Sequence, residues 1–331
     1  MKKYWVLFLL LCILLNGCTT SAKQYNTTYL NLFDTVTTVI GTGENEEQFL
    51  QNAKKIYNQL LVYHQLFDIY NDYAEINNLK TVNDQAGIAP VVVDGVIIKL
   101  LLDCREYYEL TGGKVNAAMG SVLRLWHEAR TQGLENPENA KLPDKEALAQ
   151  AAQHINFDNI IIDQAASTVY ISDPEMSLDV GAIAKGWAVQ RVAETAPSGM
   201  LISVGGNVCA TGPKDDGSSW TVGVQDPDNA GEYLRKLHIM QGAVVTSGDY
   251  QRTYEVDGKQ YHHIIDPATG MPSGYWHSVT VVCADSGLAD ALSTAMFLLP
   301  LEEGKALAEE CGANALWLDA GGKQYTTENF Q

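Results

Sequence analysis

The segment TSGDYQRTYEVDGKQYHHIIDPATGMP, residues 246–272, contains a β-hairpin signal followed by two adjacent histidines. The Asp-Gly dipeptide at positions 257–258 is typical of a two-residue hairpin turn. A hairpin centred there places Arg252 opposite His263. Because side chains alternate along a strand, His262 and His263 are predicted to lie on opposite faces. The two imidazoles are therefore not expected to bind one metal ion together. One is expected to contact ligand or take part in chemistry and the other to be structural, while packing within the sheet is the alternative for both.

The pattern on either side of this segment indicates an α+β fold built on mostly antiparallel strands. Near the start, FDTVTTVIGTG alternates like a strand and is followed by a long helical pattern. A second helix is predicted to end at Gly112 and Gly113. From Phe157 onward most segments are strand-like, interrupted by helices around AIAKGWAVQRVAE and LADALSTAMFLL. No regular alternation of strand and helix occurs, which separates this pattern from a parallel α/β sheet.

Composition and charge restrict the class of function. The chain has 331 residues, of which 46% are hydrophobic and 19% charged, as in an ordinary globular protein. A formal net charge of -18 argues against nucleic acid as a partner. Beyond the N-terminal segment the cysteines are far apart in sequence, so buried free thiols are expected rather than structural zinc. They are Cys104, Cys209, Cys283 and Cys311.

The N-terminus has the pattern of a bacterial lipoprotein signal. Two lysines precede the apolar run YWVLFLLLCILL, which is short for a membrane span, and a small residue precedes Cys18. Residues 1–17 are predicted to be a signal peptide, 18–28 a flexible tether, and 29–331 one folded domain. The protein is expected outside the cytoplasmic membrane, lipid-anchored through Cys18. An uncleaved membrane anchor is the alternative.

Two glycine-containing segments are candidate phosphate or ligand sites. SLDVGAIAKGWAV, residues 177–189, is predicted to run from a strand ending at Asp179 into a helix. A helix start favours an anion, and Lys185 would lie in the first turns, although a surface lysine gives the same pattern. LISVGGNVCATG, residues 201–212, has two glycines within an apolar strand pattern, which indicates a bulge or a ligand close to the backbone.

A third segment, GLADALSTAMFLL, residues 287–299, carries oxygen-bearing side chains at helical spacing. Asp290, Ser293 and Thr294 are separated by three and four positions, so they are predicted to share one helix face. One carboxylate and two hydroxyls suit magnesium, a hard ion that prefers oxygen. The alternative is a helix whose Ser and Thr hydroxyls bond back to the backbone.

Together these segments resemble the ApbE family, the FAD:protein FMN transferases, which are often bacterial lipoproteins. The matching pieces are FDTVTT, VNAAMGSVLRLW, LDVGAIAKGWAV, VGGNV, the 246–272 segment and ADALSTAMFLL, in the family's order. They cover nearly all of the chain after the tether. The resemblance implies a flavin cleft in which FAD is split at its pyrophosphate. FMN then passes to a Thr or Ser hydroxyl of a target protein, and AMP leaves.

The resemblance also implies roles for individual residues. Magnesium would be bound by Asp290 and Thr294 with the backbone carbonyl of Ala182, while Ser293 stands where some relatives have a further acid. The positions that match FAD contacts are Phe33, Ala118, Met119, Gly120, Asp179, Lys185 and Ile264, with Tyr70 as an aromatic stacked on a ring of FAD. The expected partners are FAD and an acceptor protein outside the membrane, such as a flavin-carrying redox subunit.

His263 is predicted to be the general base, because an imidazole can accept a proton from a hydroxyl near neutral pH. Arg252 beside it would lower its pKa and keep it neutral. Two other functions use the same motifs. One is a magnesium-dependent FAD pyrophosphatase that passes FMN to water. The other is a lipid-anchored flavin carrier without turnover.

Overall fold

A computed structural model describes residues 23–43, 45–229 and 231–330. The predicted signal peptide and Cys18 lie outside the described residues. The strands are β1 (Lys23–Leu32), β2 (Thr35–Gly43), β3 (Val91–Val92), β4 (Ile160–Asp163), β5 (Thr168–Ile171), β6 (Met200–Val204), β7 (Asn207–Ala210), β8 (Trp220–Gln225), β9 (Tyr233–Ile239), β10 (Gly242–Gly248), β11 (Tyr254–Val256), β12 (Lys259–Tyr261), β13 (Ile265–Asp266), β14 (Met271–Pro272), β15 (Ser278–Cys283), β16 (Asn314–Leu318) and β17 (Gln324–Thr326).

The helices are α1 (Glu46–Phe67), α2 (Leu79–Asp84), α3 (Gly95–Leu110), α4 (Gly120–Glu135), α5 (Lys145–Ala151), α6 (Ala184–Ala193), α7 (Ser286–Phe297) and α8 (Leu301–Glu310). Short 3-10 turns cover Pro137–Asn139, Ala152–His154 and Phe157–Asn159. In the part of the chain that the structure describes, no helix has both the length and the apolar content to cross a bilayer.

An eight-stranded antiparallel sheet forms the centre of the fold. Its strand order is β1-β2-β6-β7-β10-β15-β16-β17, and helices α1, α6 and α7 contact its strands. Alternation along the strands separates two layers of core: Ile202 belongs to the same buried cluster as α6 and α7, whereas Leu201 packs on the opposite face against the β8–β9 hairpin. The structure therefore confirms the α+β class with mostly antiparallel strands.

A smaller subdomain packs against one end of this sheet. Helix α4 packs against the β11–β12 hairpin, and the two share a cluster that includes Trp126, Tyr254 and Ile265. A three-stranded sheet, in the order β3-β5-β4, lies beside α2 and α3. The 246–272 segment thus begins in the central sheet and ends in the smaller subdomain, which places its histidines at the junction.

The folded region begins earlier than the sequence predicts. Residues 23–28, assigned to the tether, form the first half of β1 and pair with β2. Their Asn and Thr residues hide the strand pattern because β1 is an edge strand with one face in solvent. On the inner face the ring of Tyr25 stacks on Phe49 of α1, with centroids 5.7 Å apart, and that contact fixes the strand.

Residues 201–208 form a hairpin rather than one strand interrupted by a bulge. Gly205 and Gly206 are its two turn residues, with φ of +57° and +93°. Two successive positive φ values define the turn that glycine fits best, so the pair ends β6 and starts β7. The four cysteines of the folded domain are unpaired, and Cys104 and Cys209 are buried as predicted, whereas Cys283 and Cys311 are only half-buried.

Candidate active site

A cleft of about 380 Å³ lies where the central sheet meets the smaller subdomain. Its walls come from the start of α6, the middle of α7, one face of α4, the end of β10 and the segment that follows β12. A side chamber of about 150 Å³ adjoins it and shares Tyr70, Asp179 and Lys185 with it. Motifs that lie more than two hundred positions apart in the sequence, such as those of Asp34 and Thr294, therefore meet in one cavity.

Asp290 is buried at the base of this cleft, with 4% of its surface exposed. Its Oδ2 accepts hydrogen bonds from the backbone amide of Gly186 at 2.8 Å and from Nδ2 of Asn207 at 2.9 Å. The ammonium of Lys185 lies 3.7 Å from the same oxygen. Burial raises the pKa of Asp290, while Lys185 and the two hydrogen bonds oppose that rise.

The contact between Gly186 and Asp290 leaves a backbone carbonyl free. In a regular helix the amide of Gly186 would bond the carbonyl of Ala182 four positions earlier, but it bonds Asp290 instead. Among the described residues the carbonyl of Ala182 and the hydroxyl of Thr294 have no hydrogen-bond partner, and both residues line the cleft. These groups and the second carboxylate oxygen of Asp290 form an all-oxygen donor set.

This donor set fits a hard divalent cation and does not fit zinc. Within the described ranges no group of three or more His, Cys, Asp and Glu side chains is arranged to hold a metal. Magnesium is typically bound by few protein oxygens, with phosphate and water as its other ligands, and one carboxylate, one hydroxyl and one carbonyl suit that pattern. The residues predicted as magnesium ligands are thus brought together, with one exception.

The exception is Ser293, which the sequence placed on the same helix face. Its side chain is fully buried, and its hydroxyl lies 2.9 Å from the backbone carbonyl of Asp290 and 2.8 Å from the hydroxyl of Ser247. The Ser hydroxyl therefore bonds back to its own helix and ties α7 to β10. It does not line the cleft, so its hydroxyl supports α7 and is not part of the candidate cation site.

The turn before α6 carries two of the predicted FAD contacts, Asp179 and Lys185, of which Lys185 is the predicted phosphate contact. Oδ1 of Asp179 accepts from the amide of Gly181 at 2.8 Å, and Nζ of Lys185 donates to the carbonyl of Gly181 at 3.1 Å. All three residues line the cleft. Burial raises the pKa of Asp179, and the nearby positive charges of Arg252 and Lys185 act against it.

The two adjacent histidines differ in how many of their ring nitrogens are hydrogen-bonded. For His262, Nε2 donates to the carbonyl of Ser273 at 2.8 Å and Nδ1 accepts from the amide of Ile264 at 3.2 Å, so both nitrogens are used. For His263, Nδ1 donates to the carbonyl of Gln251 at 3.1 Å. Its Nε2 has no partner among the described residues, and because Nδ1 carries the proton, Nε2 keeps its lone pair.

Both histidines line the cleft, but their rings have different neighbours: the His262 ring meets Phe297 edge-on and bonds the Ser273 carbonyl, whereas His263 bonds the Gln251 carbonyl. The predicted pairing of His263 with Arg252 is wrong. The hairpin pairs Tyr254 with Tyr261 as expected, but its ladder ends there. Arg252 has a φ of +48°, outside the extended region, so it does not pair with His263. The predicted electrostatic effect does hold: burial first, then Arg252 and Lys185, lower the pKa of His263 to about 3.

The remaining predicted FAD contacts separate into four groups. Met119 and Ile264 line the main cleft, and Phe33 lines the side chamber. Tyr70 lines both, and its ring stacks on His127 with centroids 5.2 Å apart. Two residues lie behind the wall: Ala118 is fully buried, and Gly120 donates its amide to the carbonyl of Ser177 and leaves no room there for a Cβ atom.

Sequence reasoning missed several residues of the cleft. Asn207 follows the glycine turn and holds the carboxylate of Asp290. Helix α4 presents one face to the cavity through four residues at helical spacing, which are Leu123, Trp126, His127 and Arg130. That i, i+3, i+4, i+7 pattern was visible, but two apolar and two basic side chains on one face do not form a familiar apolar stripe.

The comparisons with known proteins agree with this geometry. The family model described as "ApbE family" matches residues 33–317. The FAD:protein FMN transferase of Treponema pallidum is 36% identical over 260 residues, covering 72% of this chain and 70% of that protein. The FAD:protein FMN transferase of Vibrio cholerae is 26% identical, covering 99% and 98%. The crystal structure of the ApbE protein of Thermotoga maritima has a TM-score of 0.83 at 29% identity, covering 93% of this chain and 98% of that one.

Proposed function

Since this chain belongs to the ApbE family, we propose that it is an FAD:protein FMN transferase, which moves FMN from FAD to a hydroxyl group of another protein and releases AMP. One observation carries the mechanism we derive for it: the free Nε2 of His263 and the oxygen groups of Asp290, Thr294 and Ala182 line the same cleft. A proton acceptor and an all-oxygen cation site together match the needs of pyrophosphate cleavage.

The transfer step balances with these groups. The acceptor hydroxyl oxygen attacks the phosphorus of the FMN half, and a new phosphoester bond forms. The bond between that phosphorus and the bridging oxygen breaks, so AMP leaves with the bonding electrons. The hydroxyl proton passes to Nε2 of His263. Burial and Arg252 lower the pKa of His263, so the ring is neutral and Nε2 is free to accept the proton.

The binding of the pyrophosphate is assigned to the turn before α6 and the metal site. Lys185 lies between the Gly181 carbonyl and the Asp290 carboxylate, where its ammonium can contact phosphate oxygens as a point charge. Asp290, Thr294 and the carbonyl of Ala182 would hold Mg²⁺. When bound, the metal would neutralise negative charge on the phosphates.

The location and the acceptor are part of the same proposal. The signal pattern at residues 1–17 and Cys18 supports a lipid-anchored protein outside the cytoplasmic membrane. Its acceptor must then expose a Thr or Ser on that side, as a flavin-carrying redox subunit would. Strand β1 begins at Lys23, so only a few residues separate Cys18 from the first described strand.

The deciding experiment follows two products together. Purified protein is incubated with FAD, Mg²⁺ and a candidate acceptor domain, and AMP release is measured alongside the acceptor mass after denaturation. An acceptor gain equal to FMN with matching AMP, both lost on chelation, supports the proposal. AMP without an acceptor gain instead indicates a pyrophosphatase. Tight FAD binding with neither product indicates a carrier.

A further inference from the structure

Residues 249–253, hereafter the 249–253 loop, connect the central sheet to the hairpin and contact the candidate base. The backbone carbonyl of Gln251 accepts the hydrogen bond from Nδ1 of His263 at 3.1 Å. That bond keeps the proton on Nδ1 and leaves Nε2 free. The state of His263 therefore depends on where the loop backbone places one carbonyl.

The loop is held at its beginning by a histidine outside the cleft. Nδ1 of His277 donates to Oδ1 of Asp249 at 2.5 Å, and the amide of Asp249 donates to the carbonyl of His277 at 3.1 Å. The His277 backbone amide in turn donates to the carbonyl of Leu318 in β16 at 2.8 Å. A side-chain and a backbone bond thus join the first residue of the loop to the central sheet.

Further contacts surround this pair. The ring of Tyr250 meets the His277 ring edge-on with centroids 5.7 Å apart, and Nε2 of His277 lies 3.4 Å from Oδ1 of Asp228 in the loop between β8 and β9. Farther along the loop, the Arg252 carbonyl has only a long contact of 3.5 Å with Arg130. Within the described residues, Asp249 is thus the residue of this loop that is held by both its side chain and its backbone.

We propose that His277 and Asp249 are positioning residues for the transfer reaction, which act by fixing the 249–253 loop so that Gln251 holds His263 in the Nδ1-protonated tautomer. This inference rests on the proposed function for its kinetic consequence. Its structural consequence, the tautomer of His263, does not require that function. A displacement of about 1 Å in a catalytic group can cost on the order of 100-fold in rate, so a loose loop would matter.

Two substitutions of His277 distinguish the loss of its hydrogen bond to Asp249 from the loss of its ring volume. In His277→Asn the amide nitrogen takes the place of Nδ1 and can still donate to Asp249, whereas in His277→Gln the amide reaches the place of Nε2 and cannot. The backbone bonds of residue 277 remain in both variants. Asp249→Asn removes the carboxylate from the other side. His238→Gln serves as the matched control, because His238 is exposed on β9 and away from the cleft.

The measurements are kcat and KM for FAD with Mg²⁺ and an acceptor, and nitrogen-15 NMR of the seven histidines, which reports each tautomer. We expect His277→Gln and Asp249→Asn to lower kcat roughly 10- to 100-fold with KM changed less than about twofold, and to give His263 a mixed tautomer. His277→Asn and His238→Gln should stay near wild type in both readouts.

Either of two results would overturn the inference. One is an unchanged His263 tautomer in His277→Gln and Asp249→Asn, whatever their activity, since the loop then does not depend on the pair. The other is an equal loss of kcat and of melting temperature in His277→Asn and His277→Gln, which indicates a merely structural ring. If wild-type protein modifies no acceptor, the proposed function fails, and the NMR spectra still decide the positioning role.

Discussion

The backbone amide of Gly186 donates to the carboxylate of Asp290 at 2.8 Å, so that the first turn of α6 closes on a side chain of α7 instead of on its own carbonyl. One contact thereby orients the acid, frees the Ala182 carbonyl and brings the two helices close. An ideal Cβ atom at Gly186 would lie 2.3 Å from the carbonyl oxygen of Ser286 and 2.4 Å from Cβ of Asp290. The packing of α6 on α7 and the geometry of the proposed cation site therefore depend on the same glycine.

Gly186→Ala should therefore destabilise the fold and reduce transfer. Overpacking of this kind costs about 1–3 kcal/mol in unfolding free energy, and separation of α6 from α7 would move the donor oxygens apart. Urea unfolding followed by circular dichroism gives the free energy. Gly95→Ala is the control, since nothing lies within 4 Å of a Cβ atom there. Equal stability of the two variants would contradict the close-contact explanation.

Removal of the Asp290 carboxylate should abolish metal-dependent transfer with little loss of FAD binding. Asp290→Asn keeps the side-chain volume and one acceptor oxygen but loses the charge that would hold Mg²⁺. A fall in kcat on the order of 100-fold or more is expected. The measurement is the rate of acceptor flavinylation across a Mg²⁺ titration.

Ser293→Ala is the matched control for the metal site. Because the Ser293 hydroxyl bonds the Asp290 carbonyl and Ser247 instead of facing the cleft, its loss should leave the Mg²⁺ dependence of transfer unchanged. Stability should fall by about 0.5–1.5 kcal/mol, the typical net contribution of a hydrogen bond. A large rise in the Mg²⁺ concentration needed for half-maximal rate would restore Ser293 as a ligand.

The pH dependence of transfer should lack a histidine midpoint in the neutral range. The pKa of His263 is lowered to about 3 by burial, by Arg252 and by Lys185, while its other neighbour, His262, also has a lowered pKa. The base is then unprotonated from about pH 4 upward. Single-turnover rates between pH 5 and 8 should show no loss on the acid side, and a midpoint near 6.5 would refute the assignment.

The same shift predicts the direction of a stability change. In the unfolded chain His263 has its ordinary pKa near 6.5 and binds a proton below that pH, whereas in the folded protein it stays neutral down to about pH 3. The unfolded state thus gains protons first, and this contribution to stability falls as pH drops from about 6.5 to 3. His263→Gln should show a weaker decline in melting temperature over that window.

The sequence predicts what depends on local pattern and on family motifs. The turn at Asp257-Gly258, the helix carrying Asp290 and the buried cleft all follow from spacing or from the resemblance. The errors lie where tertiary contacts override local pattern. Polar β1 becomes a strand because β2 and α1 cover one side of it, and Ser293 turns to its own helix because Ser247 meets it.

The residues that were missed explain why a site cannot be fully read from spacing. Asn207 contacts Asp290 across 83 positions, and the carbonyl that holds His263 belongs to Gln251, whose side chain gives no clue. Backbone groups carry no sequence signal of their own. The resemblance names the Ala182 carbonyl, but only the path of the chain reveals the carbonyl of Gln251.

Tyr70 should contribute to flavin binding through its ring. Its side chain is 54% exposed, lines both chambers and stacks on His127, so the ring is already held in the position where a flavin or adenine could stack on it. Tyr70→Ala should weaken FAD binding by about 1–3 kcal/mol, or roughly 5- to 150-fold in Kd, while Tyr70→Phe should bind within about twofold of wild type. Quenching of flavin fluorescence measures Kd.

Tyr275→Ala is the matched control, since that tyrosine is 51% exposed but lines neither chamber. If Tyr70→Ala and Tyr275→Ala bind FAD equally well, Tyr70 has no stacking role, and the aromatic contact must come from Trp126 or His127 on α4.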